Sequence, residues 1–221
     1  MSQRRKSQPA IRPGTESRHT LGLLLLWGAA LVGYFAPWMM RPPASAALAW
    51  NAYDLYAIVR LLPEIENGTL TVNLQMLQLP LLGLALMLPF LATRRSAWER
   101  YGVALLGCLL ASMTLPPYPQ ILDAWRTPGW RVPFWWGIGT ILCCLIVAGY
   151  GPRLEGQRAW WLMAGAELAL LPAVATLVRL LPALSRLHAA TVIPGWGFWL
   201  CTAGLLGIGA GSMWDALREA R

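Results

Sequence analysis

Six apolar stretches, at residues 20–40, 74–93, 101–115, 132–150, 159–181 and 193–214, fill most of this chain and leave it few folding options. A bilayer's hydrocarbon core takes about 20 apolar residues per helix, and within it the backbone must satisfy its own N–H and C=O groups. The pattern predicts an all-α, polytopic transmembrane helical bundle of six spans. The third stretch is short by about five residues against that length, yet it stops at Pro116 and Pro117, which cannot continue a helix. Charged residues make up only 13% of the chain, against about a quarter in a soluble domain, so lipid is the expected solvent. The expected organisation is a basic, disordered tail at 1–19, a membrane domain at 20–214 and a short tail at 215–221.

The basic residues set the orientation. With the N-terminus inside, Arg4, Arg5, Lys6, Arg12, Arg18, Arg94, Arg95, Arg100, Arg153, Arg158, Arg218 and Arg221 fall on the cytoplasmic side. Arg41, Arg60, Arg126, Arg131, Arg179 and Arg186 fall on the other. A two-to-one bias places both termini in the cytoplasm. The net charge of +8 does not point to nucleic acid, because the arginines sit at the ends of apolar runs rather than in one patch. Residues 1–26 resemble a signal peptide's charged and apolar regions. The run continues through Gly33 and Phe35, which favours an uncleaved anchor, although Ala44, Ala46 and Ala47 follow it.

The chain has thirteen tryptophans. Trp98, Trp160, Trp161 and Trp214 fall at the predicted inner boundary, and Trp38, Trp130, Trp135, Trp136, Trp196 and Trp199 at the outer one. Their placement reads as an interfacial aromatic belt, and a cation or sugar cage is the competing reading. Two short repeats, Val59–Pro63 with Val178–Pro182 and Pro128–Trp130 with Pro194–Trp196, hint at three similar hairpins; chance in a Leu- and Trp-rich chain explains them equally well.

The longest outer loop carries Leu55, Ile58, Val59 and Leu62 at helical spacing, with Asp54, Arg60 and Glu64 as its charged residues. It is expected to form an amphipathic helix lying in the outer interface as a lipid-facing cap, or else a partner or substrate surface. The motifs Gly33-Tyr34-Phe35-Ala36-Pro37-Trp38, Asp54-Leu55, Leu62-Pro63-Glu64 and Leu79-Pro80-Leu81 resemble an uncharacterised family of small multispanning bacterial membrane proteins, notably from Chloroflexi-like genomes. The resemblance spans about residues 30–90. It implies a bacterial inner-membrane protein and carries no catalytic residues with it.

The chemical inventory is sparse. His19 and His188 cannot pair as haem ligands within the bundle, and no zinc-protease, nucleotide-binding or cofactor motif is present. Cys108, Cys143, Cys144 and Cys201 all fall within spans without a C-x-x-C pair and read as packing residues. Gly209-Ala210-Gly211-Ser212 looks like a serine elbow without a base. Ala203, Gly207 and Gly211 follow small-xxx-small spacing and predict close helix packing.

Glu167 is the exception. It lies about 12 Å into the fifth span, where an ionised carboxylate costs at least ~2.5 kcal/mol on the insertion scale. It must be protonated, paired or beside water. Arg179, the nearest cation on its helix, is twelve residues away, about 18 Å. Pro172 frees a carbonyl nearby, and Gln75 and Gln78 are further polar candidates near the outer end of span two. Glu167 is therefore a candidate coupling or binding site, a polar contact with another subunit, or a structural residue bonded to Thr140 or a free carbonyl.

Three function classes follow. The first is a non-catalytic subunit or scaffold that binds a protein partner. The second is a solute carrier, or the membrane component of an importer, that binds a small-molecule ligand at Glu167. An intramembrane enzyme ranks last, because no base or metal set is present.

Overall fold

A computed structural model of the chain describes residues 13–41, 49–60 and 62–219. In order these form α1 (Pro13–Phe35), β1 (Met39–Met40), α2 (Ala52–Val59), α3 (Pro63–Glu66), α4 (Leu79–Leu91) after a 3-10 turn at Leu74–Gln78, and α5 (Ala97–Ser112). There follow α6 (Pro128–Leu154), α7 (Arg158–Leu187), β2 (Ile193–Pro194) and α8 (Trp196–Glu219). Among the described residues the protein is all-α apart from a short antiparallel pair, Met39 opposite Pro194 and Met40 opposite Ile193.

Each apolar stretch becomes one helix, with ends set by local chemistry. Pro13 opens α1, where its missing N–H would have been unused anyway, so the expected tail is helical from residue 13. Residues 1–12 and the Ala44–Ala47 segment lie outside the described residues. The Glu99 N–H donates to the Ser96 hydroxyl and the Ser96 N–H to the Glu99 carboxylate, at 3.4 and 3.0 Å. This reciprocal cap starts α5 at Ala97, four residues before the expected span, and the Ser96 hydrogen bonds hold the Glu99 carboxyl below its ordinary range. At the other end of the chain α8 continues to Glu219, so most of the expected tail is helix.

Among the described residues three stretches, not six, are by length and composition long and apolar enough to cross a membrane: Leu74–Leu91, Pro128–Leu187 and Trp196–Arg218. Two reasons account for the difference. The apolar part of α1 is only His19–Phe35, and α5 has 16 residues. The 60-residue stretch holds both α6 and α7, joined by the 3-10 turn Glu155–Gln157. The chain reverses there. Cys144 meets Ala85 and Gly151 meets Thr93, so α6 runs parallel to α4. Trp161 stacks on Phe90 and Ala169 meets Gly83, so α7 runs antiparallel to it.

The hub is α4, which packs against α1, α5, α6 and α7, while α8 lies between α1 and α7. Of Leu74–Leu91, 72% is buried, against 28% of the most apolar part of Trp196–Arg218. The outer helices instead expose Leu25, Leu105, Ile146, Leu168 and Leu206 around the perimeter, a larger apolar surface than a soluble monomer presents. One end of the bundle carries the His19–Asp215 pair at 3.2 Å and the Arg94–Glu155 pair at 2.8 Å. The other carries Trp38, the strand pair and α2.

Prolines inside helices leave carbonyls that other elements use. Pro89 cannot donate to Ala85, and the Cys144 thiol donates there at 3.5 Å. Pro133 cannot donate to Gly129, and the Arg60 guanidinium does so at 3.0 Å. From α1, the Trp27 indole donates to the Leu84 carbonyl at 2.8 Å and the Tyr34 hydroxyl to the Leu77 carbonyl at 3.4 Å. Both donors and acceptors are seven residues apart, in opposite senses, so α1 is fastened to the hub at two levels.

Several sequence expectations need correction. The apolar face of α2, Ala52, Leu55, Tyr56 and Val59, is not turned to lipid; it is buried on the bundle with Leu62 and belongs to its core. Val59–Pro63 ends α2, whereas Val178–Pro182 lies inside α7, so that repeat is not a structural one. Trp38 is 1% exposed and donates its indole N–H to the Gly33 carbonyl, so it is a core residue rather than a belt residue. Trp98, Trp160 and Trp214 at one end, and Trp135, Trp196 and Trp199 at the other, are exposed as a belt requires.

Candidate functional site

The candidate site lies where α7 and α8 diverge. Met163, Ala166 and Leu170 from α7 face Leu205, Gly209 and Met213 from α8 across a recess of about 230 Å³, and Glu167 stands at its rim. The floor is low because its residues are small: a methyl group built on Gly209 would reach only the Ala166 methyl, at 3.9 Å. Glu167 points away from the bundle interior and is exposed, flanked by Leu168 and Leu171, which are 69% and 65% exposed. Pro172 has no N–H for the Leu168 carbonyl, so a second acceptor lies one residue from the carboxylate. Because α7 packs on α4 and α8, Thr140 of α6 does not serve as the partner of Glu167.

The other polar candidates are not gathered here. Arg179 is exposed twelve residues further along α7, about 18 Å away. Gln75 is half-buried in the 3-10 turn before α4, where its N–H donates to the Asn73 side chain. Gln78 is buried, and its Oε1 accepts no hydrogen bond. Both sit at the Trp38 end, in the turn that leads into the hub helix.

The charged residues of the outer loop also separate. The Arg60 guanidinium lies 4.3 Å from the Trp130 ring and 5.3 Å from the Tyr56 ring, besides its bond to Gly129, so it clamps α2 to α6. Burial raises the Tyr56 hydroxyl pKa, and Arg60 opposes the rise. Asp54 is exposed in the first turn of α2, where its N–H donates to the Asn51 side chain. Glu64 is half-buried, and its carbonyl accepts from the Thr69 hydroxyl and the Leu70 N–H. These three form a fastened cap rather than one continuous surface.

Two of the three residues of the small-residue stripe, Gly207 and Gly211, face α1 as expected, and the third does not. Ala203 is exposed, while Gly204 makes the backbone approach to α1: a methyl on it would lie 2.7 Å from the Leu26 carbonyl and 2.8 Å from Ala30. Methyl groups on Gly207 and Gly211 would lie 2.8 and 3.2 Å from the Leu26 and Leu23 side chains. Gly33 on α1 faces Gly197 and Cys201. The cysteines are all free, with Cys143 exposed and Cys144 buried. Among the described residues no three His, Cys, Asp or Glu side chains gather closely enough to hold a metal.

Sequence reasoning missed the His19–Asp215 pair, because His19 was assigned to the tail, and the roles of Trp27, Cys144 and Arg60. The signal for the last two was the prolines, each of which frees a carbonyl four residues earlier. Compared with models of protein families, with curated proteins and with solved structures, the chain matches none, so the family resemblance of residues 30–90 rests on its motifs alone.

Proposed function

We propose that the chain crosses the bacterial inner membrane six times, with both termini in the cytoplasm, and serves as a non-catalytic subunit or scaffold of a membrane complex. Six helices of alternating direction and an apolar perimeter support the crossings, and the arginine bias supports the orientation. α1 and α5 are short for an average bilayer, and local thinning or the flanking Trp and Arg side chains accommodate such helices at modest cost. Cysteine labelling of intact cells tests the topology in a background where the four native cysteines are replaced. Cysteines at 68 and 123 should react with an impermeant reagent, and those at 96 and 156 only after lysis; the reverse pattern, or mixed labelling at one end, would refute it.

The observation that carries the subunit reading is the outward direction of Glu167. A carrier needs its coupling residue on an internal pathway, whereas a polar contact between subunits needs it on the perimeter. Mild-detergent purification at native expression should yield a stoichiometric protein partner. A clean monomer holding a small molecule, with Glu167→Gln abolishing flux, would instead establish the carrier.

A further inference from the structure

The recess between α7 and α8 combines three features that each constrain an occupant. Its walls are Leu and Met and its floor is Ala166, Gly209 and Ala210, so it takes an apolar, elongated object at close approach. At its rim stands an acceptor, the Glu167 carboxylate, and none of the other residues lining the recess carries a side-chain donor. The basic side chains of α7 and α8 lie towards the helix ends, at Arg158, Arg179, Arg186 and Arg218. Arg158 begins α7 nine residues, about 14 Å, before Glu167. A second copy of this chain docked by the same face would bring another carboxylate instead of a cation.

Charge complementarity therefore selects the occupant. We propose that the α7–α8 recess is the docking site for a transmembrane helix of a different protein that carries a lysine or arginine near its midpoint. The cation is held by Glu167, and the partner's apolar residues lie over Gly209. This rests on the membrane-subunit reading and names the partner's chemistry. Lysine and arginine both present several N–H donors, so one side chain serves both carboxylate oxygens of Glu167. The desolvation that makes an isolated carboxylate costly here is what makes the matched pair selective.

The test uses full-length protein in phosphatidylcholine vesicles and, as probe, a synthetic Leu/Ala helix of about 21 residues with one central lysine, beside the same peptide with a central leucine. Energy transfer between labelled protein and peptide should show association of the lysine peptide about tenfold stronger than of the leucine peptide. Glu167→Gln should reduce the first to the level of the second. Gly209→Leu, which has room within the fold but fills the recess, should block the lysine peptide while Glu167 remains.

Equal binding of the two peptides, or a lysine preference that survives both substitutions, overturns the proposal. So does energy transfer between two copies of the protein that Gly209→Leu abolishes, which would make the occupant a second copy. A gel-filtration profile like that of wild type shows that each variant is folded. These outcomes do not depend on copurification, so failure of the subunit reading and failure of the docking site are read separately.

Discussion

Gly204→Leu should leave little or no folded, monodisperse protein, while Gly28→Leu, one contacting helix away, should leave yield and stability at or above wild type. The difference comes from what surrounds each glycine. At Gly28 the first added carbon meets nothing within 4 Å, and replacing glycine in a helix gains up to ~1 kcal/mol from propensity. At Gly204 the first added carbon already lies 2.7 Å from a backbone oxygen and 2.8 Å from a backbone nitrogen of α1. Backbone atoms cannot rotate aside as a leucine tip does, so α1 and α8 must separate along their length. Overpacking a core typically costs 1–3 kcal/mol where side chains can yield, and this seam should exceed that range. Gly33 and Gly197 line the same seam, so relaxation on one side of Gly204 only moves the collision. Detergent gel filtration and thermal unfolding measure the outcome. A monodisperse Gly204→Leu protein with an unchanged midpoint would show that the α1–α8 approach is not as described.

That seam shows where the sequence was legible and where it was not. Small residues at 203, 207 and 211 announce a close approach in the last helix, and Gly207 and Gly211 make it, but with Gly204 rather than Ala203. Both are small and both are apolar. In a soluble helix the polar face would have decided between them; in a lipid-facing helix both faces are apolar and the periodicity loses its meaning. The same loss hid the direction of Glu167: Leu162, Ala166 and Ala169 face inward and Leu168 and Leu171 outward, and nothing in their hydropathy separates them. Helix positions were readable because six apolar lengths and their bounding prolines and arginines are one-dimensional signals. Partner choice was not. Pro89 and Pro133 mark the Ala85 and Gly129 carbonyls as lacking a helical donor, but that Cys144 and Arg60 fill them depends on which helices meet. α2 failed differently: its apolar spacing was read correctly, and the face was sent to lipid because nothing local shows that the bundle end offers a surface for it.

Trp27→Ala should destabilise the bundle by about 3–5 kcal/mol, the usual range for truncating a buried Trp, and Trp27→Phe by about 1. The indole sits between α1 and the hub, nearly buried, with its N–H on the Leu84 carbonyl at 2.8 Å. Two contributions are therefore lost in the alanine variant, and their sizes differ. Interhelical hydrogen bonds in membranes average ~0.6 kcal/mol and rarely exceed ~1.7, because the separated helix keeps alternatives for its polar groups. Leu84 lies within α4, so its carbonyl also retains a helical donor when the indole is gone. The ring's packing has no such substitute: removing it leaves a void that lipid cannot enter from the buried side. Tyr34→Phe, seven residues on, should cost less than Trp27→Phe, since its bond to Leu77 is 3.4 Å long and its ring remains. Because the two contacts lie two helical turns apart along α1, Trp27→Phe and Tyr34→Phe together should cost nearly the sum of their separate effects. Reversible unfolding in mixed micelles gives all four values. If Trp27→Phe costs as much as Trp27→Ala, the hydrogen bond rather than the ring holds α1 to the hub, and the packing account of this interface is wrong.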